Sequence, residues 1–122
     1  MLTLASGAKV FLATEPVDLR RGHDGLYSLV KNTLCLDAFA GHLFVFVGRR
    51  GDRVKVLFWD RGGFVLYYKR LARGRFRIPR VVAGADRVVL DGTELAMLLG
   101  GFDVARAQRL AAWEPKTRRP AA

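Results

Sequence analysis

Cysteine is nearly absent from this chain, whose 122 residues include one, Cys35. A single cysteine excludes an internal disulfide framework and any zinc module built on several cysteines. Because Cys35 stands between two leucines, we expect it to be a small, buried apolar residue. His23 and His42 have no third ligand at helical or hairpin spacing. The sequence therefore predicts neither a metal site nor a cofactor.

Long apolar runs are also missing. No stretch approaches the roughly 18 apolar residues that cross a bilayer, and residues 1–14 lack the basic start of a signal peptide. We therefore expect a cytoplasmic protein without membrane contacts. Hydrophobic residues make up 51% of the chain, which is enough to bury a core and argues against disorder. We expect a single domain over residues 1–103, followed by a basic, mobile tail over 104–122.

Acidic residues are scarce: 11 Asp and Glu accompany 21 Lys and Arg, and the net charge is +10. The excess is concentrated, since residues 49–80 contain eleven basic and two acidic residues. Residues 1–48 are neutral overall, and residues 81–103 are net negative. Because a solvated surface normally mixes both signs, this segregation predicts a binding face for a polyanion, with nucleic acid as the first candidate.

The apolar pattern predicts an α+β domain. We expect an antiparallel meander of four to five strands, one packed helix near the start and a short helix near the end. A strand at residues 9–14 precedes a helix at roughly 23–34, whose apolar stripe consists of Leu26, Leu29, Val30 and Leu34.

The meander is predicted from three apolar runs separated by turn residues. Its strands are expected at residues 43–47, 53–59 and 64–70, with turns at 48–52 and 61–63. A glycine-interrupted segment over 73–78 and a short strand at 87–90 follow. Asp91 and Glu94 then have the spacing of a capping box, which starts a helix that ends at Gly100.

Strand alternation predicts one sheet face that mixes cations with aromatic rings. Arg53, Lys55 and Trp59 point the same way along their strand, and we expect Tyr67 and Lys69 of the next strand to join them. Cations bind phosphates and rings stack on bases, although such rings also pack against neighbouring elements. The candidate nucleic-acid-binding residues are Arg49, Arg50, Arg53, Lys55, Trp59, Arg61, Tyr67, Lys69, Arg70, Arg73, Arg75 and Arg77.

Carboxylates for catalysis are not clustered in the sequence. Strand-transfer chemistry needs two or three of them converging on Mg²⁺. Asp18 is followed by Arg20, with which it can pair, and Asp52 lies in a predicted turn. We identify no catalytic residue and expect a protein that is not an enzyme.

Several segments occur in an order that points to a known family: PVDLR at 16–20, GHLFVF at 41–46, RRGDRVKVL at 49–57, KRL at 69–71 and GRF at 74–76. Over roughly residues 8–103 the chain resembles TnpB, the accessory protein encoded by the second open reading frame of the insertion-sequence-66 family of bacterial transposable elements. The resemblance implies a role in transposition beside a larger transposase from the same element, which carries the catalytic carboxylates. It supplies no established binding residues.

Two hypotheses follow for the basic segment over residues 49–80. In the first, the protein is an accessory factor that binds DNA through this face. In the alternative, it is a protein-interaction module that tethers or regulates the transposase without contacting DNA, and the same arginines meet carboxylates. Neither the preferred DNA nor the oligomeric state follows from the sequence.

Overall fold

A computed structural model describes residues 7–79 and 83–101. These residues form one sheet of five strands and two helices, in the α+β class expected from the sequence. The strands are β1 Val10–Ala13, β2 Leu43–Val47, β3 Arg53–Asp60, β4 Gly63–Arg70 and β5 Arg87–Leu90. The helices are α1 His23–Ser28, which continues into a π-helical turn at Leu29–Thr33, and α2 Gly92–Leu99. The predicted tail over 104–122 lies outside the described residues.

The strand order in the sheet is β4-β3-β2-β1-β5. β2, β3 and β4 form the expected antiparallel meander, with turns between them. β1 pairs parallel with β2 and antiparallel with β5. A parallel pair requires a crossover connection, and α1 with its π-helical turn provides it. The first strand therefore lies inside the sheet, next to the meander.

Both faces of the sheet are covered, which explains why β2 is apolar at every position and buried throughout. On the α1 face, Phe44 and Phe46 pack with Leu57 and the helical residues Leu26 and Val30. The opposite face packs against α2. Its buried residues are Val10, Leu12, Leu43, Val45, Val47, Val54, Val56, Phe76, Leu90, Leu95 and Leu98.

The predicted stripe on the first helix is confirmed at Leu26, Val30 and Leu34, which are buried, whereas Leu29 is only partly buried. Leu29 lies at the edge of this stripe, where the π-helical turn begins: the backbone N–H of Leu34 donates to the carbonyl of Leu29, five residues earlier, at 2.9 Å.

Cys35 ends this helix in the left-handed conformation, with φ of 55°. Its side chain is exposed, so the expectation of a buried apolar cysteine is wrong. The reason is its position: the residue after a helix commonly turns left-handed to close the last turn. The next residue, Leu36, returns its N–H to the carbonyl of Val30 at 2.9 Å.

The predicted capping box of α2 is confirmed. Asp91 accepts a hydrogen bond from the backbone N–H of Glu94, and the Glu94 side chain accepts one from the backbone N–H of Asp91. Leu95 and Leu98 are buried against the sheet.

The different burial of two leucines in the first helical segment gives a stability test. Leu26→Ala removes a side chain that is 0% exposed, so the free energy of unfolding should fall by about 2–5 kcal/mol. Leu29→Ala is the matched control and should cost less, because Leu29 is only partly buried. Urea unfolding followed by circular dichroism measures both. Equal losses would contradict the different burial of these two leucines.

Candidate functional site

The connection between β2 and β3 presents arginines at one end of the sheet. Arg49 and Arg50 lie in this turn and are exposed, and Arg53 begins β3. Asp52 lies next to Arg53, with 3.9 Å between Oδ1 and Nε. The turn thus places three guanidinium groups beside one carboxylate.

The chain returns to the same end of the sheet after β4. Arg70, the last residue of β4, pairs with Arg53 across the ladder. The backbone N–H of Leu71 then donates to the carbonyl of Asp52 at 2.8 Å, and that of Phe76 donates to the carbonyl of Gly51 at 2.7 Å. These two hydrogen bonds hold the returning segment against the β2–β3 turn.

Burial of Phe76, which is 4% exposed, directs its neighbours outwards. Arg73, Arg75 and Arg77 are exposed, as expected from their alternate spacing. The segment is a loop rather than a further strand of the meander. Gly51 makes the close approach possible: it has φ of 78°, and a Cβ there would lie 3.3 Å from Cδ of Arg75.

Together these elements form a surface at one end of the sheet, which we call the arginine surface. It comprises Arg49, Arg50, Arg53, Arg70, Arg73, Arg75 and Arg77. A groove of about 500 Å³ runs beside it, between residues 17–20 and 48–53. The groove is lined by Arg20, Arg49, Arg50 and Arg53 together with Asp18 and Asp52. Guanidinium groups are suited to binding phosphate.

Asp18 lies on the far wall of this groove but is paired. Arg20 Nη2 lies 2.6 Å from Asp18 Oδ2, as the sequence suggested. Hydrogen bonds from the Arg20 side chain and backbone hold the pKa of Asp18 well below its usual range, and the Arg49 charge contributes. Over residues 7–79 and 83–101, no group of three His, Cys, Asp or Glu side chains is placed to hold a metal ion.

Arg61 lies at the opposite end of the sheet. Arg61 and Gly62 form a two-residue hairpin loop, with φ of 42° and 86°, and Asp60 pairs with Gly63. Seven strand residues separate this loop from Arg53, a distance of roughly 23 Å at about 3.3 Å per residue. Arg61 is therefore remote from the arginine surface.

Trp59 belongs to an aromatic cluster at that same remote end. Its ring centroid lies 5.0 Å from Phe39 and 5.1 Å from Phe64. Tyr27 of α1 contacts both phenylalanines, at 5.7 and 5.6 Å. The edge-on geometry is that of rings packed against each other. The cluster, which includes Trp59, thus joins the first helix to the β3–β4 hairpin.

Tyr67 and Lys69 lie on the opposite face from Trp59 and Lys55, so the expectation of one shared face is wrong. The register pairs Trp59 with Phe64 and Lys55 with Tyr68. The cause is the turn, which has two residues rather than the three expected over 61–63. A shift of one residue in the pairing register moves every side chain of a strand to the other face of the sheet.

On that opposite face, the side chain of Lys69 makes a contact within the fold. Its Nζ donates to the carbonyl of Leu99 at 2.6 Å, at the carboxyl end of α2. A cation there satisfies an unpaired carbonyl and complements the helix dipole. Tyr67 packs with the core on the α2 side.

Lys55 remains near the arginine surface, on the same face as Arg53. Its Nζ donates to the carbonyl of Arg21 at 2.9 Å and lies 5.1 Å from the ring centroid of Tyr68. Tyr68 was not among the sequence-derived candidates. A two-residue turn at Arg61 and Gly62 would have identified it, because that turn length fixes the pairing of Lys55 with Tyr68.

Comparison with known proteins shows which family this chain belongs to. A family model described as "IS66 Orf2 like protein" matches residues 8–109. The chain belongs to the IS66 Orf2-like family. Membership implies an accessory role in transposition, and it confirms the resemblance found in the sequence.

Curated relatives of this IS66 Orf2-like protein align with almost their whole length. The chain is 38% identical over 109 residues to the y4jC protein of Sinorhizobium fredii, covering 89% of this chain and 92% of that protein. It is 37% identical over 115 residues to y4hO of the same organism, covering 94% and 96%. No solved structure matches the chain.

Four of the five segments that carried the family resemblance meet at the arginine surface of the IS66 Orf2-like protein, whereas GHLFVF at 41–46 leads into the buried strand β2. PVDLR at 16–20 lines the groove, RRGDR at 49–53 forms the turn, and KRL at 69–71 and GRF at 74–76 form the returning segment. Among the described residues, no helix is long and apolar enough to span a membrane.

The position of Lys69 predicts a structural role that mutation can test. Lys69→Met keeps the aliphatic stem but removes the hydrogen bond to the Leu99 carbonyl, so the free energy of unfolding should fall by about 1–2 kcal/mol. Arg70→Met is the matched control, since Arg70 is exposed and surface changes stay within about 0.5 kcal/mol. Thermal unfolding compares them. A Lys69→Met variant as stable as the native protein would contradict the structural role of Lys69.

Proposed function

We propose that this protein is a non-enzymatic accessory factor in DNA transposition that binds DNA through the arginine surface. It acts beside the larger transposase of the same element. The observation that supports the proposal is the convergence of seven arginines from two separate segments, 49–53 and 70–77, on one end of the sheet. Guanidinium groups bind phosphate in a two-pronged geometry and remain charged at any physiological pH.

The charge balance of the surface favours a polyanion as the ligand. Asp52 is the carboxylate within the surface, and Asp18 at the groove is already paired with Arg20. Bringing so many like charges together opposes folding unless a ligand neutralises them. Double-stranded DNA carries one negative charge per about 1.7 Å of its axis, so several phosphates can contact the surface at once.

Contacts of this kind position a protein on DNA without reading its sequence. The seven arginines of the arginine surface are presented from loops and strand ends, rather than from a helix that could enter the major groove. We therefore assign the surface to binding that is independent of sequence.

The proposal assigns strand-transfer chemistry to the transposase. Asp18 is held by Arg20 at 2.6 Å, and Asp52 lies 3.9 Å from Arg53 and within the β2–β3 turn. Strand transfer needs two or three carboxylates converging on a metal ion, and within residues 7–79 and 83–101 no group of three His, Cys, Asp or Glu side chains is placed to hold one.

Salt dependence and matched charge reversals test the proposal. With about 4–7 phosphates neutralised, log affinity against log salt should have a slope of about −4 to −6. Arg75→Glu should weaken binding to every sequence alike and make the slope shallower by about one. Arg61→Glu changes the charge equally but at the remote hairpin, so it should have little effect. Fluorescence anisotropy with labelled oligonucleotides at three salt concentrations measures all three proteins.

Combined reversal of Arg73, Arg75 and Arg77 to Glu should abolish most binding while folding survives, because all three side chains are exposed. No binding by the native protein at about 50 mM salt, or binding unaffected by the triple reversal, would overturn the DNA proposal. The arginines would then meet an acidic surface of the transposase, as in the alternative hypothesis.

A further inference from the structure

Tyr68 is an exposed ring surrounded by cations. Its side chain is 49% exposed. Lys55 lies directly opposite it on β3, and two positions further along the ladder Arg53 pairs with Arg70. Side chains of neighbouring pairs along a ladder point to opposite faces of the sheet, whereas those of pairs two positions apart point to the same face. Tyr68 therefore shares its face with Lys55, Arg53 and Arg70, at the border of the arginine surface.

The ring of Tyr68 is held in place from one side. Lys55 Nζ lies 5.1 Å from the ring centroid and also donates to the carbonyl of Arg21 at 2.9 Å. The backbone carbonyl fixes the ammonium group, and the ammonium group attracts the ring through a cation–π interaction. A ring covered on one side and half exposed has its other side available to a ligand.

The other aromatic side chains of β3 and β4 are engaged within the fold. Trp59 and Phe64 contact each other and Phe39, and Tyr67 packs on the α2 side of the sheet. Within residues 7–79 and 83–101, Tyr68 has no aromatic stacking partner.

We propose that Tyr68 stacks on an unpaired base of single-stranded DNA whose phosphates are bound by the arginine surface. The inference rests on the proposed function and adds a preference to it. Proteins that bind single strands combine a basic track for the backbone with rings on which bases stack. A duplex offers its phosphates but keeps its bases stacked on each other, so Tyr68 contributes to affinity for single strands only.

The test uses three variants of the full chain. Tyr68→Leu removes the ring but keeps apolar bulk on the strand, Tyr68→Phe keeps the ring, and Val65→Ala is a control at another exposed apolar residue of β4. Each is titrated with a single-stranded oligonucleotide, a duplex and an abasic single strand of equal length. Thermal unfolding checks that each variant is folded.

Tyr68→Leu should bind the single strand about 5- to 150-fold more weakly, as expected for one stacked base, with an unchanged salt slope. It should bind the duplex and the abasic strand as the native protein does. Tyr68→Phe and Val65→Ala should match the native protein on all three ligands. The abasic strand separates stacking from a structural role, because a distorted surface would lose affinity for all three ligands.

Three results would overturn the inference, and they are distinguishable. If Tyr68→Leu binds the single strand normally while Arg75→Glu binds weakly, stacking is wrong and the proposed function stands. If the native protein binds none of the three ligands, both are wrong. Equal weakening of Tyr68→Leu on all three ligands would assign Tyr68 a structural role and also reject stacking.

Discussion

Two backbone hydrogen bonds between the β2–β3 turn and the returning segment determine the shape of the arginine surface. The carbonyls of Gly51 and Asp52 accept from Phe76 and Leu71, and Phe76 is buried as a result. Because alternate residues then face solvent, the same anchoring that closes the core also exposes Arg75 and its neighbours. Gly51 is needed twice, for its left-handed turn and for the space that Arg75 occupies. Surface charge and core burial are therefore coupled in one short stretch of chain.

The two ends of the sheet have different roles: one packs aromatic side chains and the other presents charge. At the hairpin end, Trp59 and Phe64 pack with Phe39 and Tyr27, which fixes the first helix over the sheet. At the other end, charged side chains predominate and Tyr68 remains exposed. The apolar packing of the hairpin end lies several strand residues away from the arginines. Its contribution to stability offsets their mutual repulsion. The aromatic packing at one end of the sheet thus stabilises the fold that presents the charged end.

Local sequence patterns predicted the helices and strands well, but they did not predict which distant strands pair in the sheet. β2 was predicted at its observed bounds because its apolar run is bracketed by turn residues, and the capping box of α2 follows from Asp91 and Glu94 alone. The parallel pairing of β1 with β2 depends on contacts over thirty residues apart, such as Val10 with Leu43, for which alternation carries no signal. The misplaced faces of Tyr67 and Tyr68 trace to one residue of turn length.

Mapping the DNA contact by NMR tests the central claim most directly. A short single-stranded oligonucleotide is added at low salt to ¹⁵N-labelled protein, and backbone amide shifts are followed. We predict changes at residues 49–53 and 68–77, with the hairpin loop at 61–62 and β5 at Arg87–Leu90 unchanged. Changes centred on the 61–62 loop, or an absence of change at the arginine surface when DNA is in excess, would contradict the account.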